Sequence, residues 1–305
     1  MTIAFMCPAC RTPYKAAEEI GGREARCGNC GQPFLMARDP AAQLGRETVQ
    51  FLHAGSYRVG GKVVEIRDLL RRSVDGTCAY PPDYPLPEIQ RGDKPTSFTV
   101  ANEPTLTAAR RLVEDGLNVV ALNFASATQA GGGFLSGSRA QEESLARSSG
   151  IYACLAGNPM YEFHRTRRDA IDTHYAVYSP DVPVFRTDDG ALLEQPWLCS
   201  FITAPAVNAK AVLRHDPSRR QRIRPAMRER IAKVLTVAAV QGQETLVLGA
   251  WGCGAFGNDG EEIAELFGEA LAGQFLGVFT TVVFAVTDWS KEQRFIGPFV
   301  KAFTR

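Results

Sequence analysis

Two glycine-rich turns constrain the fold of this 305-residue chain more than any other feature. The first is Gly131-Gly132-Gly133, after the apolar run 118–124, and the second is Gly252–Asn258, after the apolar run 245–251. Each turn leads into a helix-like segment. In that arrangement a turn can offer backbone N–H groups to a phosphate. Apolar strands that alternate with helices indicate a mostly parallel sheet covered on both faces, so we expect an α/β protein.

Only the first turn is accompanied by adjacent carboxylates. Seven residues separate it from Gln141-Glu142-Glu143, at the start of a helix-like segment. Three consecutive glycines let a ligand approach the backbone closely. Successive helical residues point about 100° apart, so one glutamate can face a ligand while the other orients it or holds ribose hydroxyls. Burial beside a diphosphate raises a glutamate pKa, as a proton donor at neutral pH requires. The alternative is a structural role, in which the two glutamates lie in the first turn of the helix and interact with the positive end of its dipole.

The second turn admits a competing interpretation. Gly252, Gly254 and Gly257 fit the dinucleotide fingerprint G-x-G-x-x-G, and Asp288 could serve as its ribose-binding acid. A dinucleotide fold needs further strands, and the chain is expected to end too soon for them. Phe256 is also bulky where the helix should press on the strand. We therefore favour a diphosphate cradle in which Phe256 stacks on a ribose or base, with a turn that binds no ligand as the remaining alternative.

Four cysteines near the N-terminus predict a metal site. Cys7, Cys10, Cys27 and Cys30 form two C-x-x-C pairs sixteen residues apart, which is zinc-ribbon spacing. Four thiolates complete a tetrahedral shell without an open position, so we expect a structural Zn²⁺. A redox C-x-x-C would need a βαβ context that is absent here. The ribbon is expected to span residues 1–36, to depend on metal for folding, and to serve either as a nucleic-acid or protein contact or as a passive module.

Composition excludes several classes of protein. The net charge is +1, so nothing global favours nucleic acid or membrane, although arginines cluster over residues 214–224. No apolar run approaches the roughly 20 residues of a membrane span. The N-terminus lacks the basic and apolar regions of a secretory signal. Scattered single thiols fit a reducing compartment, and we expect a cytoplasmic protein.

The pattern of strands and helices divides the chain further. Residues 37–46 are expected to form a linker, and 47–305 the main domain. Five prolines within residues 76–96 indicate an irregular excursion. Strands are expected over 96–100, 118–124, 198–203, 245–251 and 280–286. Helices are expected over 103–115, 141–155, 217–241 and 259–272, the last with Asn258 as N-cap and Glu261 as capping-box partner.

The two turns together resemble the bacterial-type poly(ADP-ribose) glycohydrolases. Gly131-Gly132-Gly133 with Gln141-Glu142-Glu143 is similar to the family's signature, and residues 118–126 are similar to the strand before it. Residues 248–258 resemble the family's diphosphate loop. The likeness covers residue 47 to the C-terminus and implies a three-layer α/β/α macrodomain with a mostly parallel mixed sheet. The zinc ribbon lies outside the usual family pattern.

The resemblance also implies roles for individual residues. Glu143 would be the catalytic acid, with Glu142 positioning the ribose or its partner carboxylate and Gln141 supporting the loop. Asn123 would contact the terminal ribose, and Phe256 would pack against ADP-ribose. The family uses no catalytic metal, and no organic cofactor is expected. The diphosphate would be held by the backbone of the two turns, namely Gly131, Gly132 and Gly133 in the first and Gly252, Cys253, Gly254, Ala255, Phe256, Gly257 and Asn258 in the second.

The activity implied is hydrolysis of the ribose–ribose O-glycosidic bond of poly(ADP-ribose), with release of ADP-ribose. Ordinary glycosidases use two separated carboxylates. Adjacent glutamates cannot straddle the bond, so one acid is expected to serve both proton transfers. Two alternatives stay open: a hydrolase of single ADP-ribose groups on protein or nucleic acid, and a non-catalytic ADP-ribose reader. The acceptor, the mode of cleavage (exo or endo) and the oligomeric state do not follow from the sequence.

Overall fold

The computed structural model describes residues 2–7, 9–10, 12–17, 24–35, 39–167, 169, 171 and 174–304. Its N-terminal part contains two antiparallel hairpins. Strand β1 (Thr2–Met6) pairs with β2 (Pro13–Ala17), and β3 (Glu24–Arg26) pairs with β4 (Pro33–Leu35). Each hairpin carries one C-x-x-C pair between its strands. Both cysteine pairs are therefore presented by the same kind of local structure.

The linker predicted over residues 37–46 is largely helical in the structure. Residues 37 and 38 lie outside the described residues, and helix α1 spans Pro40–Ala54. The Asp39 carboxylate caps this helix, because it accepts the backbone N–H of Ala41 at 2.8 Å. Pro40 occupies the first turn, where its missing N–H costs nothing. The dipeptide Asp39-Pro40 is therefore a helix start rather than a linker.

The rest of the chain contains nine further strands and nine further α-helices among the described residues. The strands are β5 (Ser56–Val59), β6 (Lys62–Glu65), β7 (Cys78–Tyr80), β8 (Ser97–Ala101), β9 (Val119–Phe124), β10 (Ala176–Arg186), β11 (Leu192–Ala204), β12 (Thr245–Leu248) and β13 (Thr281–Ala285). The helices are α2 (Arg67–Asp75), α3 (Thr105–Glu114), α4 (Gln141–Ser148), α5 (Ile151–Leu155), α6 (Pro159–Arg167), α7 (Ala209–His215), α8 (Ile223–Val240), α9 (Gly260–Ala272) and α10 (Gly297–Phe303). Short 3-10 turns cover Phe134–Ser136 and Pro217–Arg222.

The central sheet has seven strands in the order β7-β10-β11-β9-β12-β13-β8. The pairs β11–β9, β9–β12, β12–β13 and β13–β8 are parallel, and β10 runs antiparallel to both of its neighbours. Helices cover both faces. Leu122 and Phe284 belong to the core packed by α8 and α9, whereas Ala121 and Val283 belong to the core packed by α3 and α4. The expected three-layer α/β/α architecture with a mostly parallel mixed sheet is confirmed.

The structure differs from the sequence-based expectations at several places. Strand β10 and helix α6 were not expected, and β11 begins six residues before the predicted strand. The helix predicted over 141–155 breaks after Ser148, because Ser149 bridges to Val184 and the Gly150 N–H donates to Pro183 O. Helix α9 is capped by Asp259 instead of Asn258. Sequence periodicity shows none of these pairings, since each depends on groups distant along the chain.

Both glycine-rich turns lie at the same edge of the sheet. The first follows β9 and the second follows β12, its parallel neighbour, while the segment 286–296 follows β13. The carboxyl ends of adjacent parallel strands are where α/β folds bind ligands.

Of the helices in the described ranges, none combines the length and hydropathy that a membrane crossing requires.

Candidate active site

A cavity of about 530 Å³ opens where β9, β12 and β13 end. Its lining combines the start of helix α4, the second glycine-rich turn and the segment after β13. The residues that line it include Ser126, Arg139, Gln141, Glu142, Glu143, Gly252, Gly254, Ala255, Phe256 and Phe295. A cavity of this size, with acids at one end and bare backbone at another, fits a small polar ligand that carries a phosphate.

Glu143 is anchored by the first glycine-rich turn. Its Oε1 accepts the backbone N–H of Gly133 at 2.9 Å. Gly132 adopts a left-handed φ of 56°, and a Cβ placed there would lie 2.3 Å from Glu143 Oε1 and 2.9 Å from Glu142 Oε2. A Cβ cannot approach an oxygen that closely. Glycine at this position therefore makes room for both carboxylates.

Glu142 is held by the end of strand β9. Its Oε2 accepts the backbone N–H of Ser126 at 2.6 Å. Burial raises the pKa of Glu142 to about 8, and the charge of Glu143 adds to the rise while the Ser126 N–H opposes it. Glu142 is thus mostly protonated at neutral pH. At Glu142, burial therefore outweighs the stabilisation of a charged carboxylate by the helix N-terminus.

Each glutamate keeps one oxygen without a hydrogen bond. Glu142 is 4% exposed and Glu143 is 8% exposed, and the second oxygens, Glu142 Oε1 and Glu143 Oε2, are buried without a partner in the described chain. Leaving a buried carboxylate oxygen unpaired is costly unless a ligand or water fills it. These two carboxyl oxygens can therefore accept a hydrogen bond from a ligand in the cavity or, when protonated, donate one to it.

Gln141 has a supporting position. Its Oε1 accepts the N–H of Phe124 at 2.9 Å, and its Nε2 donates to the carbonyl of Leu122 at 2.7 Å. The side-chain amide thus pairs with the last residues of β9 as a further strand would. This fixes the start of α4 against the strand end, and with it the two following glutamates.

The amides of the first turn already have acceptors within the protein. The Gly133 N–H donates to Glu143, the Gly132 N–H donates to Gln129 O at 3.1 Å, and the Gly131 N–H lowers the pKa of Glu142 as a hydrogen-bond donor. The sequence predicts a diphosphate cradle here. The structure instead shows a turn whose backbone holds the two glutamates.

The second turn differs, because its amides are open. Among the described residues, no acceptor bonds to the backbone N–H groups of Gly252, Gly254, Ala255, Phe256 or Gly257. Gly252 and Gly257 have left-handed φ angles of 75° and 70°. A Cβ on Gly254 would meet no atom within 4 Å. Consecutive open amides next to bare backbone form an anion-binding concavity.

Asn258 and Cys253 are placed to support this turn. The Asn258 Nδ2 donates to Val207 O at 2.7 Å and to Gly252 O at 3.1 Å, which fixes both ends of the loop. Cys253 is buried, and burial raises the pKa of its thiol to about 12, so the side chain is a packing group.

Asp288, the acid of the dinucleotide alternative, accepts the N–H groups of Ser290, Phe295 and Ile296. Its carboxylate is used inside the protein.

Several predicted ligand contacts do not line the cavity, namely Gly131, Gly132, Gly133, Cys253, Gly257, Asn258 and Asn123. Asn123 is the one among them that lies in a strand. Its side chain is fully buried in β9, and its Nδ2 donates to Thr203 Oγ1 at 3.2 Å. Its Oδ1 has no partner among the described residues. The residue is not among those that line the cavity.

Sequence reasoning did not identify three groups of the site. Ser126 contributes through its backbone N–H, Arg139 lies on the segment between the first turn and α4, and Phe295 follows β13. A backbone contact leaves no residue-type signal. Arg139 lies within the signature, two residues before Gln141, so its nearness in sequence to the glutamates is its one sequence signal.

The four N-terminal cysteines lie together. Their sulfur atoms are all within 4.8 Å of one another, with Cys7 and Cys30 at 3.7 Å and Cys10 and Cys27 at 3.5 Å. Tetrahedral ligation with metal–sulfur bonds of about 2.3 Å places sulfurs about 3.8 Å apart. The backbone N–H of Cys30 also points to Cys27 Sγ at 3.4 Å. The cysteines are thus close enough to hold one metal ion.

Comparisons with known proteins agree with the resemblance. The sequence profile described as "Microbial-type PARG, catalytic domain" matches residues 45–187. No curated protein matches the chain.

Solved structures match over most of the chain. The crystal structure of the poly(ADP-ribose) glycohydrolase from Thermomonospora curvata is 44% identical, covers 87% of this chain and 100% of its own, and has a TM-score of 0.82. The same enzyme bound to the inhibitor ADP-HPD is 43% identical with the same coverage and a TM-score of 0.80. The Deinococcus radiodurans enzyme in complex with ADP-ribose is 40% identical, covers 81% of this chain and 98% of its own, and has a TM-score of 0.73.

At this identity and coverage, with the glycine turns and the glutamate pair in one cavity, this chain belongs to the microbial-type poly(ADP-ribose) glycohydrolases.

Proposed function

We propose that this chain hydrolyses the ribose–ribose O-glycosidic bond of poly(ADP-ribose) and releases ADP-ribose. One observation carries the proposal. A single cavity brings two buried glutamates, each with one unpaired oxygen, together with a turn whose amides are open. The first group suits proton transfer at a glycosidic oxygen, and the second suits a diphosphate.

The second turn would hold the diphosphate through the amides of Gly252, Gly254 and Ala255. Phe256 lines the cavity beside them, so its ring can pack on a ribose or base of the ligand. Gly254 lines the cavity, and a Cβ there would meet no atom within 4 Å, so its bare backbone is open to a ligand. Asn258 takes part by holding the loop in shape, and Cys253 by packing beneath it. Asn123, which does not line the cavity, would reach a ribose only after a local shift.

We assign the catalytic proton to Glu143. Its Oε1 stays on the Gly133 N–H, which leaves Oε2 to donate a proton to the leaving 2′ oxygen as the bond to the anomeric carbon breaks. The ribose gains oxocarbenium character, and the substrate's own diphosphate lies near to offset it. The carboxylate then takes a proton from the attacking water, whose oxygen bonds to the anomeric carbon. One acid thus performs both transfers.

Glu142 is proposed to position the sugar. Because burial raises its pKa to about 8, it carries a proton at neutral pH and can donate a hydrogen bond to a ribose hydroxyl through its unpaired Oε1. Gln141 would act indirectly, by fixing the start of α4.

The N-terminal module, residues 1–36, is proposed to be a ribbon stabilised by structural Zn²⁺. Four thiolates with no oxygen or nitrogen donor favour Zn²⁺ in a closed shell. The ribbon would contact the modified protein or nucleic acid, while residues 47–305 carry the hydrolase and need neither a catalytic metal nor an organic cofactor. Cys78, Cys154, Cys199 and Cys253 are free thiols, which supports a cytoplasmic location.

The proposed function is tested by supplying three substrates to the purified full chain: poly(ADP-ribose), a protein carrying single ADP-ribose groups, and DNA carrying single ADP-ribose groups. Chromatography of the products should show free ADP-ribose from the polymer. Release only from a singly modified substrate would replace the proposal with a mono-ADP-ribosyl hydrolase. Tight binding of ADP-ribose without release from any substrate would indicate a reader.

A further inference from the structure

Arg139 is the only cation among the described residues that line the cavity. It lies on the segment that joins the first glycine-rich turn to helix α4, just before the two glutamates. Its side chain is 62% exposed, so the guanidinium stands at the rim and not on the floor of the cavity. The proposed mechanism assigns it no task.

Asp39 holds this guanidinium in place. Arg139 Nη2 donates to Asp39 Oδ1 at 2.9 Å. Asp39 is itself fixed, because it caps α1 and packs against Gly137, where a Cβ would lie 2.7 Å from the Asp39 Cγ. Gly137 has a left-handed φ of 90°. The ion pair is therefore anchored to two segments of backbone at the glutamate end of the cavity.

In the proposed reaction, the leaving group would pass close to Arg139. The bound ADP-ribose unit would extend from the glutamates to the second turn, at the end of the next strand. The departing group is joined to the rest of the polymer, so we take it to leave the cavity past its rim, where Arg139 is the cation among the described lining residues. In the polymer that group is another ADP-ribose unit, which carries a diphosphate. Guanidinium groups bind phosphate oxygens in a bidentate manner.

We propose that Arg139 determines specificity by binding a phosphate of the departing ADP-ribose unit, so that polymer is preferred over substrates with an uncharged leaving group. This inference rests on the proposed function. Asp39 would orient Arg139 in the free enzyme and compete with the phosphate. An exposed ion pair contributes little free energy, so it can be exchanged for a phosphate contact.

The test compares poly(ADP-ribose) with 4-nitrophenyl ADP-ribose, whose leaving group has no phosphate. We expect Arg139→Ala to raise KM for the polymer by about fivefold, the size of an exposed ion pair, with a much smaller change for the aryl substrate. Asp39→Asn should lower KM for the polymer, because asparagine still caps α1 but no longer competes for the guanidinium. Arg110→Ala removes another surface arginine of an exposed ion pair, with Glu114, and should change KM for neither substrate.

Arg139→Ala is expected to raise KM for the polymer and Asp39→Asn to lower it. This difference in direction distinguishes a phosphate contact of Arg139 from a purely structural role. A merely structural ion pair would make both Arg139→Ala and Asp39→Asn harmful on both substrates, which would overturn the proposal. Equal effects of Arg139→Ala on the two substrates would do the same, while leaving the proposed function intact. If the wild-type chain hydrolysed neither substrate, the proposed function itself would fail, and the role of Arg139 with it.

Discussion

The backbone N–H of Gly133 donates to Oε1 of Glu143 at 2.9 Å, so the first glycine-rich turn binds the protein's own carboxylate. Gly132 next to it has no room for a side chain, because both glutamate carboxylates lie against it. The turn and the glutamates therefore form one unit. The glycines of the first turn thus hold the two carboxylates in place, whereas the amides of the turn after β12 are open.

Gly132→Ala should remove activity by displacing the carboxylates. The new methyl group would lie 2.3 Å from Glu143 Oε1, and the left-handed φ adds strain of about 1–2 kcal/mol. Gly116→Ala is a matched control, because Gly116 also has a left-handed φ, of 81°, but no atom lies within 4 Å of its Cβ position. We expect both variants to lose stability in thermal unfolding and only Gly132→Ala to lose hydrolysis. Equal activity of the two variants would contradict the carboxylate-holding role.

Glu142→Gln should change how stability depends on pH. The pKa of Glu142 is raised to about 8 in the folded chain, against about 4.3 in the unfolded chain. Between these values the folded state holds a proton that the unfolded state has lost, so this group lowers stability as the pH rises. Glutamine cannot ionise but keeps an oxygen for the Ser126 N–H. Urea unfolding should therefore show the variant gaining stability over wild type between pH 5 and pH 8, by an amount on the order of a few kcal/mol.

A constant difference between the two proteins at pH 5 and pH 8 would show that Glu142 is ionised in the folded chain. In that case it could not donate a hydrogen bond to a ribose hydroxyl at neutral pH.

Gly254→Val should weaken ADP-ribose binding without harming the fold. The Cβ position of Gly254 is open and the residue lines the cavity, so we expect the free protein to accommodate a valine whose methyl groups obstruct the proposed diphosphate position. Calorimetric titration with ADP-ribose should show affinity falling by at least about tenfold, while the melting temperature changes little. The ADP-ribose affinity of Gly254→Ala should lie between that of wild type and that of Gly254→Val. Unchanged affinity in the valine variant would place the diphosphate elsewhere.

Removal of a ribbon cysteine should release the metal and spare the hydrolase. Purified chain should contain one zinc by elemental analysis, and Cys10→Ser should contain less, because three thiolates no longer close the shell. Cys78→Ser is the matched control, since Cys78 is exposed and outside the cluster. Both variants should hydrolyse 4-nitrophenyl ADP-ribose as wild type does, because none of the ribbon residues that the structure describes lines the cavity. Full zinc content in Cys10→Ser would contradict the four-thiolate site.

The sequence was sufficient for the features that depend on periodicity and on local turn chemistry. Strands such as β9 and β12 are continuous apolar runs, and the glycine-rich turns after them mark the ligand-binding edge of the sheet. The cysteine spacing likewise predicted a cluster that the structure brings together. Each of these signals is contained within a short stretch of chain.

The features that were missed depend on contacts between distant segments. Strand β10 contains Ser179, Pro180 and Pro183, which obscure its pattern, and it forms by pairing with β7 and β11. The two glycine-rich turns look alike as sequences. In the three-dimensional structure, Glu143 accepts an amide of the first turn, whereas the amides of the second turn have no acceptor among the described residues.

The most direct test of the account is release of ADP-ribose from poly(ADP-ribose) by Glu143→Gln. Glutamine keeps the size of the side chain and can still accept the Gly133 N–H, but it cannot donate and recover a proton. We expect the rate to fall by roughly a thousandfold or more, with ADP-ribose affinity retained. Glu114→Gln, at an exposed glutamate paired with Arg110, should leave the rate unchanged. Near wild-type hydrolysis by Glu143→Gln would contradict the assignment of Glu143 as the catalytic acid.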